Sequence, residues 1–389
     1  MNMKVDIEKN ALISTIFLIV GIIGLALSIL GYFVNQAQFS HSWLVAFAFW
    51  VSIALGGFFV TLIHHLSGAV WSVVIRRIPE TLMALIPFMI IFFIPVVLGM
   101  HDLYHWTHQD AVLQDELLQE KAPYLNVIFF VLRTVFYFVV WSIFALLLYR
   151  FSIKNDETGD AKFIAKAKRI SPPAVILFAF TLTFAAFDWL MSLDPHWYST
   201  IFGVYYFAGS TMATYAIVTL LVLYFEKGPL QDRITAEHHH DLGKLIFTFT
   251  IFWAYMAFSQ YFLIWYANIP EETIWYIHRW QGSWKIISVL LAVGHFAVPF
   301  LIMLVRAVKR NTLALTVFAV WMLLMHYIDM YWLVMPTLHK ENAVFSWLDA
   351  VTMIGIGGIF LRVFFWKLSR HSLVPVNDPN LDNSINHKS

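Results

Sequence analysis

Residues 11–34 read ALISTIFLIVGIIGLALSILGYFV, a run with no charged side chain. At about 1.5 Å of rise per residue such a helix crosses the roughly 30 Å hydrocarbon core of a bilayer. The run is longer than the apolar core of a signal peptide and no small-residue cleavage site follows it, so it reads as a retained transmembrane helix. Working outward, nine more runs of the same kind follow, near 43–66, 80–100, 126–150, 172–192, 200–225, 241–268, 284–305, 312–335 and 345–368. Their apolarity is continuous and lacks the period-2 alternation of barrel strands, and only helices and closed barrels satisfy every backbone group in lipid. The expected fold is an all-α integral membrane protein of about ten transmembrane helices. It forms a single domain over 1–370, with a polar tail over 371–389 that is expected to be disordered or held by a partner.

Composition agrees. The 389 residues are 60% hydrophobic and only 13% charged, against about 45–50% and 25% in soluble domains. Sixteen Trp, sixteen Tyr and thirty-six Phe exceed what one soluble core hides, whereas lipid solvates them. A net charge of +1 excludes the broad basic surface of a nucleic-acid binder. With no Cys, disulfides, thiolate zinc sites, Cys-ligated iron–sulfur clusters and c-type haem attachment are excluded. Assigning loops alternately puts nineteen Lys/Arg on the N-terminal side and four (Lys121, Arg279, Lys285, Lys340) on the other. The positive-inside rule then places both termini in the cytoplasm. The opposite loops are His- and Trp-rich, as in His101–Trp106 and Pro195–Tyr198, the composition of an interfacial aromatic belt.

Ionisable groups inside spans are costly, so each is a candidate for function. Asp188, Asp329 and Asp349 fall within roughly 5–8 Å of the outer boundary, at one level. Arg133, slightly deeper, is a counter-charge for one of them. The competing readings are a structural ion pair and an outer proton port. His326 and Asp329 are spaced i, i+3, which puts them on one helical face as a pair able to pass a proton. His295 reaches a similar depth on the preceding span. Two facing histidines also permit a bis-His haem b, but a cytochrome-b type bundle carries two histidines on each of two helices and these spans carry one each. His64 and His65 stand near the inner end of the second span, where they mark either a cytoplasmic mouth or an ordinary polar interface. Tyr255, Gln260 and Trp265, with Tyr205 on the span before, can line the distance between the two levels or simply pack between helices. Glu237–Asp241, with three consecutive histidines, has no further metal-ligand spacing and reads as a solvated loop, so no metal site is expected. Nucleotide-binding and hydrolase motifs are absent.

Three stretches carry a resemblance: FDWLMSLDPHWYSTIFGVYYFAGS at 187–210, DLGKLIFTFTIFWAYMAFSQYFLIWYANIPEET at 241–273 and SVLLAVGHFAVPF at 288–300. They resemble the F-subunit family (quinone-binding subunit 2) of bacterial alternative complex III, a branch of the NrfD-like, polysulfide reductase C-type membrane subunits. The resemblance implies ten helices with two four-helix bundles, spans 2–5 and 6–9. It also implies a location in the bacterial inner membrane and no prosthetic group on the chain itself. The implied partners are a multihaem cytochrome, an iron–sulfur B-type subunit, a sister C-type subunit and smaller D and E subunits. Menaquinone or another quinone is the implied substrate, with Tyr205, Gln260 and Trp265 as possible contacts. Proton handling falls to Asp188, His295, His326, Asp329, Asp349, Arg133, His64, His65 and Tyr255. The rival expectations are a purely structural subunit and a secondary transporter, the latter disfavoured because no span shows a mid-helix break.

Overall fold

The computed structural model describes residues 7–387, with side chains from Ala11 onward. The side chains of Lys4, Lys9 and Lys388, counted in the charge asymmetry, lie outside the described residues. Among the described residues, ten helices are long and apolar enough to cross a membrane: span 1, Ala11–Val34; span 2, Gln36–Ser67; span 3, Arg77–Leu98; span 4, Val127–Thr158; span 5, Lys162–Leu193; span 6, Phe202–Glu226; span 7, Ala236–Ala267; span 8, Trp284–Leu304; span 9, Thr312–Thr337; span 10, Trp347–Leu368. No strand occurs among the described residues. The protein is an all-α, multi-pass membrane protein. An even number of crossings returns the chain to its starting face, called the terminal face below; the opposite one is the loop face.

Local chemistry sets the helix ends. Asn35, Asn126 and Asn311 each accept the backbone N–H three residues on, satisfying a donor that the first helical turn leaves open. Thr235 with His238, and Ser346 with Asp349, form capping boxes. Span 2 ends on Gly68 and span 4 on Gly159, both left-handed with φ 63° and 66°, which glycine adopts without steric cost.

Spans 2–5 close into one four-helix ring, each helix packing on the next and span 5 returning to span 2. Spans 6–9 close into a second ring in the same order. The rings meet where span 6 packs on spans 2 and 5, and span 9 on span 2. Spans 6 and 2 are accordingly the most enclosed, at 89% and 78% buried, while the apolar outer faces of spans 1, 4, 5, 7 and 8 are left for lipid. Spans 1 and 10 pair outside the rings. Their backbones touch, because a Cβ on Gly24 would lie 2.7 Å from Gly355 Cα and one on Gly358 2.6 Å from Gly21 Cα, the close approach that small residues permit between membrane helices.

Two expectations are corrected. The tail is held by the chain itself. Ser384 donates to Trp71 O and accepts from Val74 N, Asp378 pairs with Arg76 at 2.6 Å, Asn377 bonds Asp156 O at 2.8 Å, and Leu373 and Val374 are buried. Polar side chains that read as a solvated tail instead satisfy loop backbone beneath the first ring. The loop-face aromatics are also more than an interfacial belt. Trp106 and Trp197 are buried; Trp106 donates to Ser192 O at 3.2 Å and Trp197 stacks on Trp275 at 4.3 Å. Only some, such as Tyr198 and Trp280, face outward.

Candidate functional site

Each ring carries one fully buried aspartate on its last helix, near the loop face. In the first ring, Asp188 of span 5 receives both Nε and Nη2 of Arg133 from span 4, each at 2.9 Å. Tyr137 adds its hydroxyl at 2.7 Å. The guanidinium also donates to Tyr124 O and lies 3.8 Å from the Tyr124 ring centre. A bidentate fork with a third donor saturates the carboxylate and fixes its charge. Arg133 is therefore the counter-charge of Asp188, and the pair is built as a structural lock.

The second ring differs. Asp329 of span 9 accepts from the Tyr205 hydroxyl of span 6 and, at 3.0 Å, from Trp253 Nε1 of span 7. It is 0% exposed, and no ion-pair partner exists for it among the described residues. Span 8 completes the ring with His295, whose imidazole stacks on Trp253 at 3.8 Å. Every helix of the second ring thus contributes one polar or aromatic group to a single cluster.

His326, one turn below Asp329, does not bond to it. Asp329 turns to spans 6 and 7, while His326 Nε2 meets Ser52 Oγ of span 2 at 2.9 Å. Ser52 donates to Phe49 O at 2.7 Å, so His326 supplies the proton of the Ser52 contact and its Nδ1 carries the lone pair. That Nδ1 and both ring nitrogens of His295 lack a hydrogen-bond partner among the described residues. Gly209 makes room for this arrangement, since a Cβ there would lie 3.2 Å from His326 Nδ1 and 3.4 Å from Trp253 Cδ1. Span 8 is not a regular helix at this level. Leu291–Ala297 forms a π-helical turn, and Trp321 Nε1 takes up the Gly294 carbonyl at 2.7 Å. Such turns often accompany functional positions, and nothing in the apolar text of 288–300 signals one.

Asp349 belongs to neither ring. As the third residue of span 10 it caps Ser346 N at 2.7 Å and accepts from Ser42 and Gln38 of span 2, with Gln38 in turn bonded to His339 at 2.8 Å. Each of the three aspartates has its own donors, and among the described residues they form no common port. Tyr255 and Trp265 are 62% and 60% exposed, on the outer face of span 7, so they line no route through the bundle. Gln260 is buried and donates to Tyr276 of the following loop at 3.0 Å.

On the terminal face, His64 accepts from Arg76 Nη1 at 3.2 Å and meets Ser72 Oγ through Nδ1 at 2.8 Å. A guanidinium cannot accept, so the His64 proton sits on Nδ1. His65 points elsewhere, its Nε2 unpartnered among the described residues. Sequence reading missed the cluster around them. Arg76 reaches Glu80 and Asp378, at 2.9 and 2.6 Å, and Arg77 reaches Glu80 at 3.0 Å and also Asp156. Burial works against the Arg76 charge, and Glu80 and Asp378 more than offset it, holding its pKa above the usual value. The spacing Arg76-Arg77-x-x-Glu80 was the available signal, being i, i+4 and i, i+3 on one helix.

The whole sequence matches no protein-family model and no curated protein.

Proposed function

We propose that this chain is an integral membrane subunit, without a redox centre of its own, of a quinol-oxidising respiratory complex of the alternative complex III kind. In this reading it lies in the bacterial cytoplasmic membrane with its terminal face toward the cytoplasm. It supports quinol oxidation by carrying protons through its second ring. One observation carries the proton role: Asp329 is buried among neutral donors, with no cation among the described residues to tie its charge. Such a carboxylate takes up and releases a proton without breaking an ion pair, whereas Asp188, forked by Arg133, cannot. Tyr205 and Trp253 hold the Asp329 oxygens in place. His295 and His326, with open ring nitrogens in the same cluster, are the groups through which a proton passes toward span 2, and Ser52 is the next acceptor in line.

The quinol-complex assignment is supported by the resemblance at 187–210, 241–273 and 288–300 and by agreement between the two rings and the architecture it implies. Quinone is the substrate in this reading. The multihaem, iron–sulfur, C-type, D and E subunits are the partners that carry electrons.

Two measurements test the proposal. Gentle detergent purification of the tagged chain from its native membrane is expected to retain multihaem and iron–sulfur subunits in fixed proportion; recovery of the chain alone, monodisperse, removes the complex. In the assembled complex, Asp329→Asn is expected to lower the number of protons moved per electron while leaving the subunits together. An unchanged stoichiometry would sink the relay. A scaffold role remains the reading for the first ring, where the saturated Asp188–Arg133 pair favours it.

A further inference from the structure

Span 10 carries an arginine well inside its own length. Arg362 stands six residues before the last residue of the helix, Leu368, about 9 Å short of its end at 1.5 Å per residue. A cation at that depth is costly unless it is paired or reaches the interface. Among the described residues no carboxylate pairs with it, and its guanidinium donates to Ser14 Oγ of span 1. The register of the two helices shows which way it leans. Gly24 packs on Gly355 and Gly21 on Gly358, so the helices run antiparallel, and the seven residues from Gly21 back to Ser14 match the seven from Gly358 to Phe365. Ser14 therefore lies opposite Phe365, and Arg362 reaches about one turn toward the terminal face to meet it.

A second guanidinium comes from the other direction. Arg370 lies just past the end of span 10 and folds back on Trp366, its guanidinium carbon 3.8 Å from the ring centre. Phe364 and Leu368 are buried and mark the side of span 10 that packs on the protein. Trp366 stands two residues from each, so it points to the opposite side, where it is 44% exposed. Arg362, two residues before Phe364, starts from that side too. One guanidinium reaching forward and one reaching back thus flank an exposed indole at the terminal-face end of span 10, the residue types of a membrane–water interface.

Charge decides what this edge holds. Lys367, between them, turns inward to Ala84 O and the Tyr149 ring. Burial, and after it Arg77, holds His371 below its usual pKa, with Glu157 acting the other way, so His371 is neutral at pH 7. Glu226, at the end of span 6, is engaged by His239. Arg362, Lys367 and Arg370 therefore face one carboxylate, Glu157. The buried network nearby sets Arg76 and Arg77 against Glu80, Asp156 and Asp378, and counting it in still leaves the region positive by one. The first ten residues add Lys4 and Lys9 against Asp6 and Glu8 and leave that balance unchanged.

We infer that the terminal-face end of span 10 binds an anionic phospholipid, with Arg362 and Arg370 donating to its phosphate oxygens and its tails in the bilayer beside Trp366. Guanidinium groups match phosphate oxygens in geometry as well as charge. A lipid brings its phosphate to this depth and this side by its own position in the bilayer, whereas an acidic protein segment would have to enter the span level to reach Arg362. A zwitterionic lipid offers the same phosphate together with an ammonium group that the surplus positive charge repels, so the edge prefers the anionic headgroup. The site does not depend on the chain belonging to a respiratory complex.

The test places the full chain in phosphatidylcholine nanodiscs doped with a lipid that carries a diazirine near its headgroup, either phosphatidylglycerol or phosphatidylcholine, and maps adducts by peptide mass spectrometry. Peptides that hold residues 11–16 and 362–370 are expected to take the phosphatidylglycerol probe about tenfold over the phosphatidylcholine probe. A basic residue near an anionic lipid surface contributes about fivefold. Arg362→Gln and Arg370→Gln should therefore each cut the preference about three- to fivefold, and the two together should bring it within about twofold of parity. Arg362→Lys, which keeps the charge, should retain most of it. Arg370 is exposed, so Arg370→Gln tests the site even where Arg362→Gln fails to fold. Millimolar inorganic phosphate should not displace the probe; displacement would mean a simple anion site and overturn the lipid. Equal labelling by the two probes overturns the inference and leaves the edge to an acidic protein segment, and a preference that Arg370→Gln leaves unchanged overturns it as well. Because the assay needs no partner subunit, its failure is separable from failure of the co-purification experiment.

Discussion

The last helix of each ring carries a buried aspartate, Asp188 on span 5 and Asp329 on span 9, and the two are surrounded by opposite chemistry. Asp188 has a guanidinium fork and a phenol; Asp329 has a phenol and an indole. Both are fully buried, so burial alone does not distinguish them. The identity of the group on the neighbouring span does. A buried ion pair resists losing either member, while a buried acid among neutral donors changes protonation with its surroundings intact.

The sharpest way to break this comparison is to remove the fork. Arg133→Met leaves Asp188 as an unpaired buried charge and should cost about 3–5 kcal/mol, read as a lower unfolding temperature in detergent. Adding Asp188→Leu should restore most of the loss, because a buried pair replaced by apolar residues is often close to neutral. A stable single variant would mean that the fork is not a lock.

In the second ring a glycine beside the Asp329 cluster tests the contrast. Gly209→Ala places a methyl 3.2 Å from His326 and 3.4 Å from Trp253, both enclosed by other helices, so the ring must repack at about 1–3 kcal/mol. If the second ring carries protons as proposed, coupling should fall by more than the stability change, since His326 and Trp253 must both shift. Asp329→Asn should be milder still for the fold. The amide oxygen can accept from Trp253 while its N–H donates to the Tyr205 oxygen, and the change in unfolding free energy should stay near about 1 kcal/mol. If Asp329→Asn destabilises as much as Arg133→Met, the two aspartates do the same job and the contrast fails.

Most of the fold was legible because membrane helices announce themselves by length and apolarity. All ten spans overlap the expected runs, and the main differences are extra turns outside the lipid, as where span 4 continues to Thr158 and span 5 begins at Lys162. The site was legible at the level of residues and not of bonds. Asp188, Arg133, Asp329, His295 and His326 were all singled out, yet periodicity within one helix paired Asp329 with His326, and the actual donors come from spans 6 and 7. The rotation of one helix against another is set by packing among four helices, which no single-helix pattern encodes. The long-range half of the Arg76 cluster was hidden for a related reason. Asp378 lies 302 residues along the chain from Arg76, in a segment whose polar composition matches that of a disordered tail.

The smallest effect separates the two rings at their loop-face clasps. Above the first ring, Asp115 bonds His196 at 2.6 Å and caps Leu118 N at 3.2 Å, tying the loop after span 3 to the loop after span 5. The His196 hydrogen bond, and after it the Leu118 N–H, hold the Asp115 carboxyl below the usual carboxylate range. An acid whose folded value lies below its unfolded one adds stability above the unfolded value, about 4, and loses it as pH falls through the folded value. Above the second ring the clasp is Arg279, which donates to the carbonyls of Trp275, Trp332 and Leu333 at 3.0–3.2 Å. Burial pushes its guanidinium down to about 9, so it is protonated at neutral pH and stays so in acid, folded or unfolded. Lowering pH below about 4 should therefore loosen one clasp and spare the other. Amide exchange, corrected for its intrinsic pH dependence, should quicken modestly in Glu116–Lys121 while the end of span 9 at Trp332–Val334 keeps its protection. Asp115→Asn should show the quickened exchange already at neutral pH. Equal loosening of both ends in acid would mean that the loop-face contacts respond to general unfolding and not to the titration of Asp115.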